Sequence, residues 1–431
     1  MNNDYNYREY TLENGLLVAL QKTPLQIKTP KQTITGQLRF HHGSVHENPG
    51  EEGIAHFLEH NVTNGGSKKY SPEDIKKIRA RFPIYNAGTS NSETMYTAGI
   101  FQEDLELFLD FFSNITFNPR LDNNIMELER QKVLREISDK KGRPDFRDRQ
   151  ILHESFFRNE FHGYFELGKE EVISNANEEI LRRFHSRGYS PNNADLILVG
   201  ALPKYVENLI EEYFSNIPIG LGKKFNFPQV NPLEKKVIIH SLAQDLQNKD
   251  NLEESNAEIS VVFVVPHLRQ KLYYPTALIN SILRSGINSR LYKSINEKAG
   301  LACKIGNDYN GAENVGTMHI SGHIHAKKKE PFLDILFKVL KNFRDNLIDY
   351  EELKTAKMRL RDKFARNLEN NESLLDDVIQ LKLDYNITIE DYFSNIARIT
   401  RKDIREVAQK YFPNGREDEN YVLLIRDPLK E

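Results

Sequence analysis

Strand-like and helix-like stretches that recur weakly in the same order in two halves predict a chain of two related domains, each mixing strands and helices, and allow an α+β fold. Two observations carry this expectation. At 431 residues the chain is too long for one ordinary core, and it suits two cores of about 200 residues each. Short segments also repeat about half a chain apart. Phe108-Leu109-Asp110-Phe111-Phe112 has a counterpart in Phe332-Leu333-Asp334-Ile335-Leu336, and Leu128-Glu129-Arg130-Gln131-Lys132 has one in Leu353-Lys354-Thr355-Ala356-Lys357. A diverged duplication leaves such traces.

The first half opens with strand-like alternation in Glu13 to Leu20 and again in Thr33 to Phe40. Pro49 and Gly50 punctuate the chain before a helical stretch from Glu52 to about Thr63,. Ile84 to Phe101, rich in Thr, Tyr and Ile, reads as one strand,. A helix from near Glu103 carries Leu105, Phe108, Leu109 and Phe112 at helical spacing, and Pro119 ends it,. Asp122 or Asn123 can cap a second helix running to about Ser138,. Ala194 to Gly200 is a further strand. In the second half Val237 to His240, Glu258 to Val265 and Thr317 to His325 read as strands. Tyr274 to Lys298 and the stretch with Phe332, Leu336 and Leu340 read as helical. The expected division is an N-terminal domain 1–220, a linker 221–235 and a C-terminal homologous domain 236–431. The polar stretch Gln244 to Asn256 reads as an exposed loop,.

Composition narrows the function classes. With 39% hydrophobic and 28% charged residues the chain reads as a soluble globular protein. Its 59 basic and 62 acidic side chains nearly cancel, so no polyanion-binding surface is indicated,. The single cysteine, Cys303, excludes an intrachain disulfide framework and an all-thiolate metal site,. Met1 to Tyr10 has neither a signal peptide's apolar core nor a transit peptide's Arg-rich, acid-poor character,. No uninterrupted apolar run approaches the ~20 residues of a membrane span. The expected compartment is the cytoplasm.

Chemistry concentrates in His56-Phe57-Leu58-Glu59-His60. On a helix, His56, Glu59, His60 and Thr63 share one face, while Ile54, Leu58 and Val62 share the opposite one and can anchor it,. Imidazoles at i and i+4 can reach one ion, and a carboxylate at i+3 stands beside them to take up a proton. A catalytic zinc needs a third protein ligand. Glu136 is the best candidate; Glu129 lies seven residues earlier on the same helical face, so one of the two can coordinate while the other orients a ligand histidine,. Such a pattern alone is more often a solvated face. Here the aliphatic opposite face and the downstream glutamate pair favour a metal site. His41, His42 and His46 read as loop residues, and His319, His323 and His325 as residues along a strand.

These residues resemble the inverzincins, the pitrilysin and insulinase family of metallopeptidases that includes mitochondrial processing peptidase. The resemblance extends beyond the motif. Asn14-Gly15-Leu16, Gly53-Ile54-Ala55, the 76-residue step from His60 to Glu136, Tyr85 to Ser90 with Thr94 to Tyr96, Gly163-Tyr164, Leu167-Gly168, and Tyr189 to Gly200 all look like family segments. Asn288 to Tyr292 with Gly300 to Ala302 fall where the C-terminal-domain motif lies. The resemblance implies two homologous α+β domains, each a mostly antiparallel sheet with helices packed on it, with zinc in the first domain only. It implies His56, His60 and Glu136 as zinc ligands, Glu59 as general base, Glu129 behind the ligands, and Asn86 and Ala87 as the strand edge that pairs with peptide.

The chain departs from the family in one respect. The Arg and Tyr that family C-terminal domains supply, seven residues apart, are here Asn296 and Cys303. That implies a homologous partner subunit supplying the missing pair to a peptide-cleaving heterodimer. The alternatives are a weak enzyme, a structural or peptide-binding subunit that has lost catalysis, or a non-proteolytic zinc hydrolase.

Overall fold

In this computed structural model the structure describes residues 6–23, 32–157, 166–225, 235–243, 246–248, 251, 254–284, 286–311 and 315–428. Gly163-Tyr164, residues 226–234 of the expected linker and much of the polar loop at 244–256 lie outside them. The chain forms two compact units. One comprises Met1–Gln150, Phe157–Asn226 and Asn367–Gln380; the other comprises Ile151–Phe156, Phe227–Arg366 and Leu381–Glu431.

Unit 1 is built on strands β1 (Asn6–Thr11), β2 (Leu17–Lys22), β3 (Thr33–Phe40), β4 (Ile84–Thr89), β5 (Thr94–Phe101) and β6 (Ala194–Gly200), in the order β1-β2-β6-β3-β5-β4. Only the β2–β6 pairing among them is parallel. The helices are α1 (Ile54–Gly65), α2 (Pro72–Arg81), α3 (Leu105–Phe117), α4 (Asn123–Lys141), α5 (Pro144–Phe157, of which Ile151–Phe156 count to unit 2), α6 (Glu170–Asn175), α7 (Glu178–Gly188) and α8 (Val206–Phe214). As expected, Asp122 caps α4, its carboxylate accepting from Asn124 N at 2.9 Å,. The stretch read as one strand, Ile84 to Phe101, is instead a hairpin. Ser90 N donates to Glu93 O at 2.8 Å and turns the chain with no glycine or proline to announce it. The elements that were not expected include β1 and α2. Helix α2 begins with a Ser71/Asp74 capping box and Pro72 in its first turn,.

Unit 2 carries β7 (Val237–Leu242), β8 (Asn256–Val265), β9 (Ala302–Gly311), β10 (Gly316–His325) and β11 (Tyr421–Asp427), in the order β7-β11-β8-β10-β9. Helices α9 (Tyr273–Arg284), α10 (Lys329–Asp345) and α11 (Tyr350–Asn367) belong to it. Its strand order matches β2-β6-β3-β5-β4 of unit 1, including one parallel pair between the first and last strands. The α+β class with mostly antiparallel sheets is thus borne out. Among the described residues no helix is long and apolar enough to cross a membrane.

Both faces of β3 are buried, although its residues alternate apolar and polar. Ile34, Leu38 and Phe40 join the helix-side core. The other face carries Thr35, Gln37 and Arg39 and meets the segment Asn367–Gln380, where Gln380 Nε2 donates to Gln37 Oε1 at 3.2 Å. At the end of the sheet Arg39 places Nε 3.0 Å and a terminal nitrogen 2.5 Å from Asp195 Oδ2, and His41 Nε2 stands 2.8 Å from the same oxygen. Burial alone would raise the Asp195 carboxyl, but His41 and Arg39 outweigh it and hold the pKa well below the usual range,.

Asp195→Asn should therefore take from the buried Arg39 guanidinium its nearer carboxylate, with Glu93 standing farther off, 3.5 Å from another terminal nitrogen. The expected cost is roughly 3–5 kcal/mol, read from urea unfolding followed by circular dichroism. A carboxyl with a depressed folded-state pKa contributes its stability above the unfolded-state value and loses it as pH falls. The difference between wild type and variant should thus shrink below about pH 4.

Candidate metal centre

Helix α1 is fixed before its functional residues begin. Gly53, at its N-terminus, has φ 98°, and Gly168, with φ 71°, lies against it. A Cβ on Gly168 would stand 2.2 Å from Gly53 Cα and from Glu52 O, so only glycine allows this backbone contact. Lys169 N then donates to Glu52 O at 3.1 Å. From the preceding loop the buried Glu47 accepts from Gly53 N at 3.0 Å and from Ala55 N at 2.8 Å. This satisfies two donors that a helix leaves open at its start.

From that start α1 presents the expected faces. Ile54, Leu58 and Val62 are fully buried in the core. His56, Glu59 and His60 offer ligand atoms that all lie within 4.8 Å of one another. Helix α4 packs alongside and brings in Glu136, whose Oε2 is 3.7 Å from His56 Nε2 and 3.7 Å from His60 Nε2. Two carboxylates thus stand near the imidazole pair. Glu136 has one oxygen equidistant from both ring nitrogens. Glu59 lies deeper, its Oε1 3.4 Å from the Thr63 hydroxyl. Ligands at ~2.0–2.2 Å from one zinc in a tetrahedron are roughly 3.3–3.6 Å apart. The His56, His60 and Glu136 donor set therefore fits that ion.

The surrounding groups set orientation and charge. His60 Nδ1 is 3.2 Å from Glu129 Oε2, which leaves Nε2 to face Glu136,. Glu129 is buried and also accepts from Asn64 Nδ2 at 3.1 Å and Lys132 Nζ at 2.5 Å. Lys140 Nζ holds Glu136 Oε1 at 2.8 Å, so Oε2 is the free oxygen. Burial, then the neighbouring His60, push the His56 imidazole down to about 4. It is neutral at pH 7, the form that binds a metal. Burial also pulls His60 down, but the Glu129 hydrogen bond and the Glu59 charge outweigh it and its pKa is raised. Burial raises Glu59. Burial works the same way on Glu136 and Glu129, but their lysines and the imidazoles overcome it, so both are lowered.

The remaining candidate residues fall elsewhere. Asn86 and Ala87 lie on β4, the edge strand of the unit 1 sheet, paired with Thr97 and Tyr96 of β5. Asn296 lies in the helical turn Tyr292–Glu297 of unit 2, and Cys303 is the second residue of β9. The described histidines of the two other clusters singled out in the sequence serve packing and pairing. His42 lies flat against Gly188, where a Cβ would overlap its ring, and its centroid is 4.6 Å from that of His46. His323 and His325 each stand beside a different glutamate, Glu258 at 3.4 Å and Glu254 at 3.2 Å. Sequence reasoning missed Asn64, Lys132, Lys140 and Glu47. The first three had a signal, their i+3 or i+4 spacing from His60, Glu129 and Glu136; Glu47, in a loop, had none.

A two-unit α+β chain with a helix-borne His-His-Glu centre is the setting in which the comparisons with known proteins fall. Residues 22–164 match the model for insulinase (peptidase family M16), and residues 175–360 match the model for the peptidase M16 inactive domain. The chain belongs to the M16 peptidase family. It is 24% identical to an uncharacterized zinc protease of Bacillus subtilis over 98% of each chain. It is 25% identical to one of Rickettsia bellii over 95% of this chain and 96% of that one. The mitochondrial-processing peptidase subunit beta of Neurospora crassa is 29% identical over 48% of this chain and 43% of its own. Among solved structures, a protease from Helicobacter pylori superposes with TM-score 0.81 at 22% identity, covering 98% of this chain and all of that one. A Pseudomonas fluorescens peptidase M16 inactive domain gives 0.83 at 16% identity, covering 99% of this chain and 98% of that one. The structural likenesses show the fold. The family and the naming of these relatives make the class that of a peptidase hydrolase.

Glu129→Gln should weaken metal binding 10–100-fold, because His60 loses the anion that orients it. Competition of the protein against a chromophoric chelator for zinc measures this.

Proposed function

We propose that this chain is a zinc-dependent endopeptidase for short or unfolded peptides, acting as the zinc-bearing subunit of a two-subunit, processing-peptidase-like enzyme. One observation carries the reading: His56 Nε2 and His60 Nε2 both face one oxygen of Glu136 at 3.7 Å, with Glu59 buried beside them. In this reading His56, His60 and Glu136 hold zinc, and Glu129 orients His60. Bound zinc supplies a Lewis acid for the water and the scissile carbonyl. Glu59 is the general base. It takes a proton from the attacking water and returns it to the leaving amine. Its burial keeps the carboxylate a stronger proton acceptor than an exposed one,. The free edge of β4 at Asn86 and Ala87 pairs with an extended peptide,.

The developing oxyanion also needs donors. Asn296 and Cys303 stand where the family resemblance places an Arg and a Tyr. In this reading those donors come from a homologous partner chain. The likeness to a relative named as a subunit of a processing peptidase supports this.

Glu59→Gln is expected to lower turnover of a quenched fluorescent peptide roughly 10²–10⁴-fold while zinc stoichiometry, read by atomic absorption, stays unchanged. Unchanged turnover would remove Glu59 from the mechanism. Wild-type protein without stoichiometric zinc would favour the non-catalytic, peptide-binding subunit. For the assembly, activity is expected only on mixing with a homologue that carries the Arg and Tyr. Full activity of the isolated chain would refute the need for a partner.

A further inference from the structure

We infer that Arg79, on α2, is a positioning residue that ties the metal ligand His60 to the peptide-pairing strand β4. The inference rests on the zinc-peptidase reading above and extends it to a residue that touches neither metal nor substrate. Every link is a short contact. Glu129 Oε2, 3.2 Å from His60 Nδ1, also accepts from Asn64 Nδ2 at 3.1 Å. The other end of that amide, Asn64 Oδ1, accepts from an Arg79 terminal nitrogen at 2.8 Å. The same guanidinium lies over the Tyr85 ring, 4.5 Å from its centroid. Tyr85 is the β4 residue next to Asn86.

The chemistry gives each link a direction. A side-chain amide has an acceptor end and a donor end and can turn over. Arg79 has only donors, so it fixes Asn64 with Oδ1 outward and Nδ2 toward Glu129. The reverse orientation would aim Oδ1 at the carboxylate that holds His60. Asn64 Nδ2 also reaches His60 O at 3.1 Å, so the amide fastens the ligand residue at its backbone as well. On its other side, the planar guanidinium stacked on Tyr85 favours one placement of the ring and hence of the strand that carries it. Tyr85 in turn stacks on Phe112 of α3, ring centroids 5.9 Å apart at 26°. Arg79 itself is exposed, so its replacement leaves no buried hole.

The test is zinc affinity by chelator competition, on wild type, Arg79→Gln, Arg79→Lys, Asn64→Ala and the double variant that combines Arg79→Gln with Asn64→Ala. Arg79→Gln and Asn64→Ala are each expected to weaken zinc by about 10-fold, the lower end for groups behind a ligand. The double variant is expected to be no weaker than Asn64→Ala alone, because Arg79 acts through that amide. Arg79→Lys keeps a donor for Asn64 but loses the planar face over Tyr85. It should bind zinc like wild type and show a several-fold higher KM with little change in kcat. Zinc affinity of Arg79→Gln within twofold of wild type, or additive losses in the double variant, would overturn the inference and leave the zinc-peptidase reading standing. Wild type that binds no zinc would overturn both.

Discussion

The candidate site depends on a helix that is anchored at its first turn. Two imidazoles four residues apart reach a common point only if the helix cannot slide or roll. Glu47 holds α1 at the start by accepting from Gly53 N and Ala55 N. The cost of that anchor is visible in the carboxylate itself. Its burial, only partly offset by those two donors, pushes the pKa up to about 8. The two backbone donors at the helix N-terminus favour the ionised form, and burial outweighs them,. Gly53 and Gly168 add a second fixture, a backbone-to-backbone contact that a side chain at either position would break. With the start held, rotation about the helix axis is set by Ile54, Leu58 and Val62 in the core, and His56, Glu59 and His60 can point only one way.

Charge is distributed around this helix with the same economy. Three carboxylates crowd one region, and like charges this close disfavour ionisation unless each has a partner. Glu129 has His60, Asn64 and Lys132, and Glu136 has Lys140. Glu59 has a threonine hydroxyl instead of a lysine, and its pKa is raised where the other two are lowered. The difference separates roles in advance of any ligand. Carboxylates held ionised suit coordination and orientation, and one with a raised pKa suits proton transfer. Neutral His56 completes a set in which this imidazole has no proton to release before a dication can enter,.

Much of this was legible in the sequence because it is local. The faces of α1 follow from helical spacing alone, and the 129/136 pair follows from a seven-residue step. The strand Thr33 to Phe40 was legible too, but its polar face was not foreseen as buried. What covers it, Asn367–Gln380, is more than 300 residues away in sequence, beyond any periodicity. The hairpin after Ile84 escaped because Ser90 to Glu93 turns by hydrogen bonding and not by glycine or proline. Lys140 four residues after Glu136 could have been read from spacing. Arg79 could not, because it reaches Asn64 only once α2 has folded back beside α1.

The two units show that the scaffold does not depend on the donor residues of α1. Their sheets share one strand order. In chain order α9 is the first α-helix after β8, as α1 is the first after β3, and β8 and β3 hold the same place in that strand order. What the core demands of that helix is an apolar face, and α9 supplies it with Leu278, Ile279, Ile282 and Leu283, all buried. Nothing in sheet packing demands histidines on the remaining face, and α9 has none. Donor residues cost stability through the burial of polar groups, so they persist only where chemistry requires them. Among the groups around α1, the lysine-paired carboxylates and the glutamate at the helix start also serve the helices themselves, through their spacing and the N-terminal partial charge,. His56, Glu59 and His60 serve neither purpose, and they are what distinguishes α1 from α9.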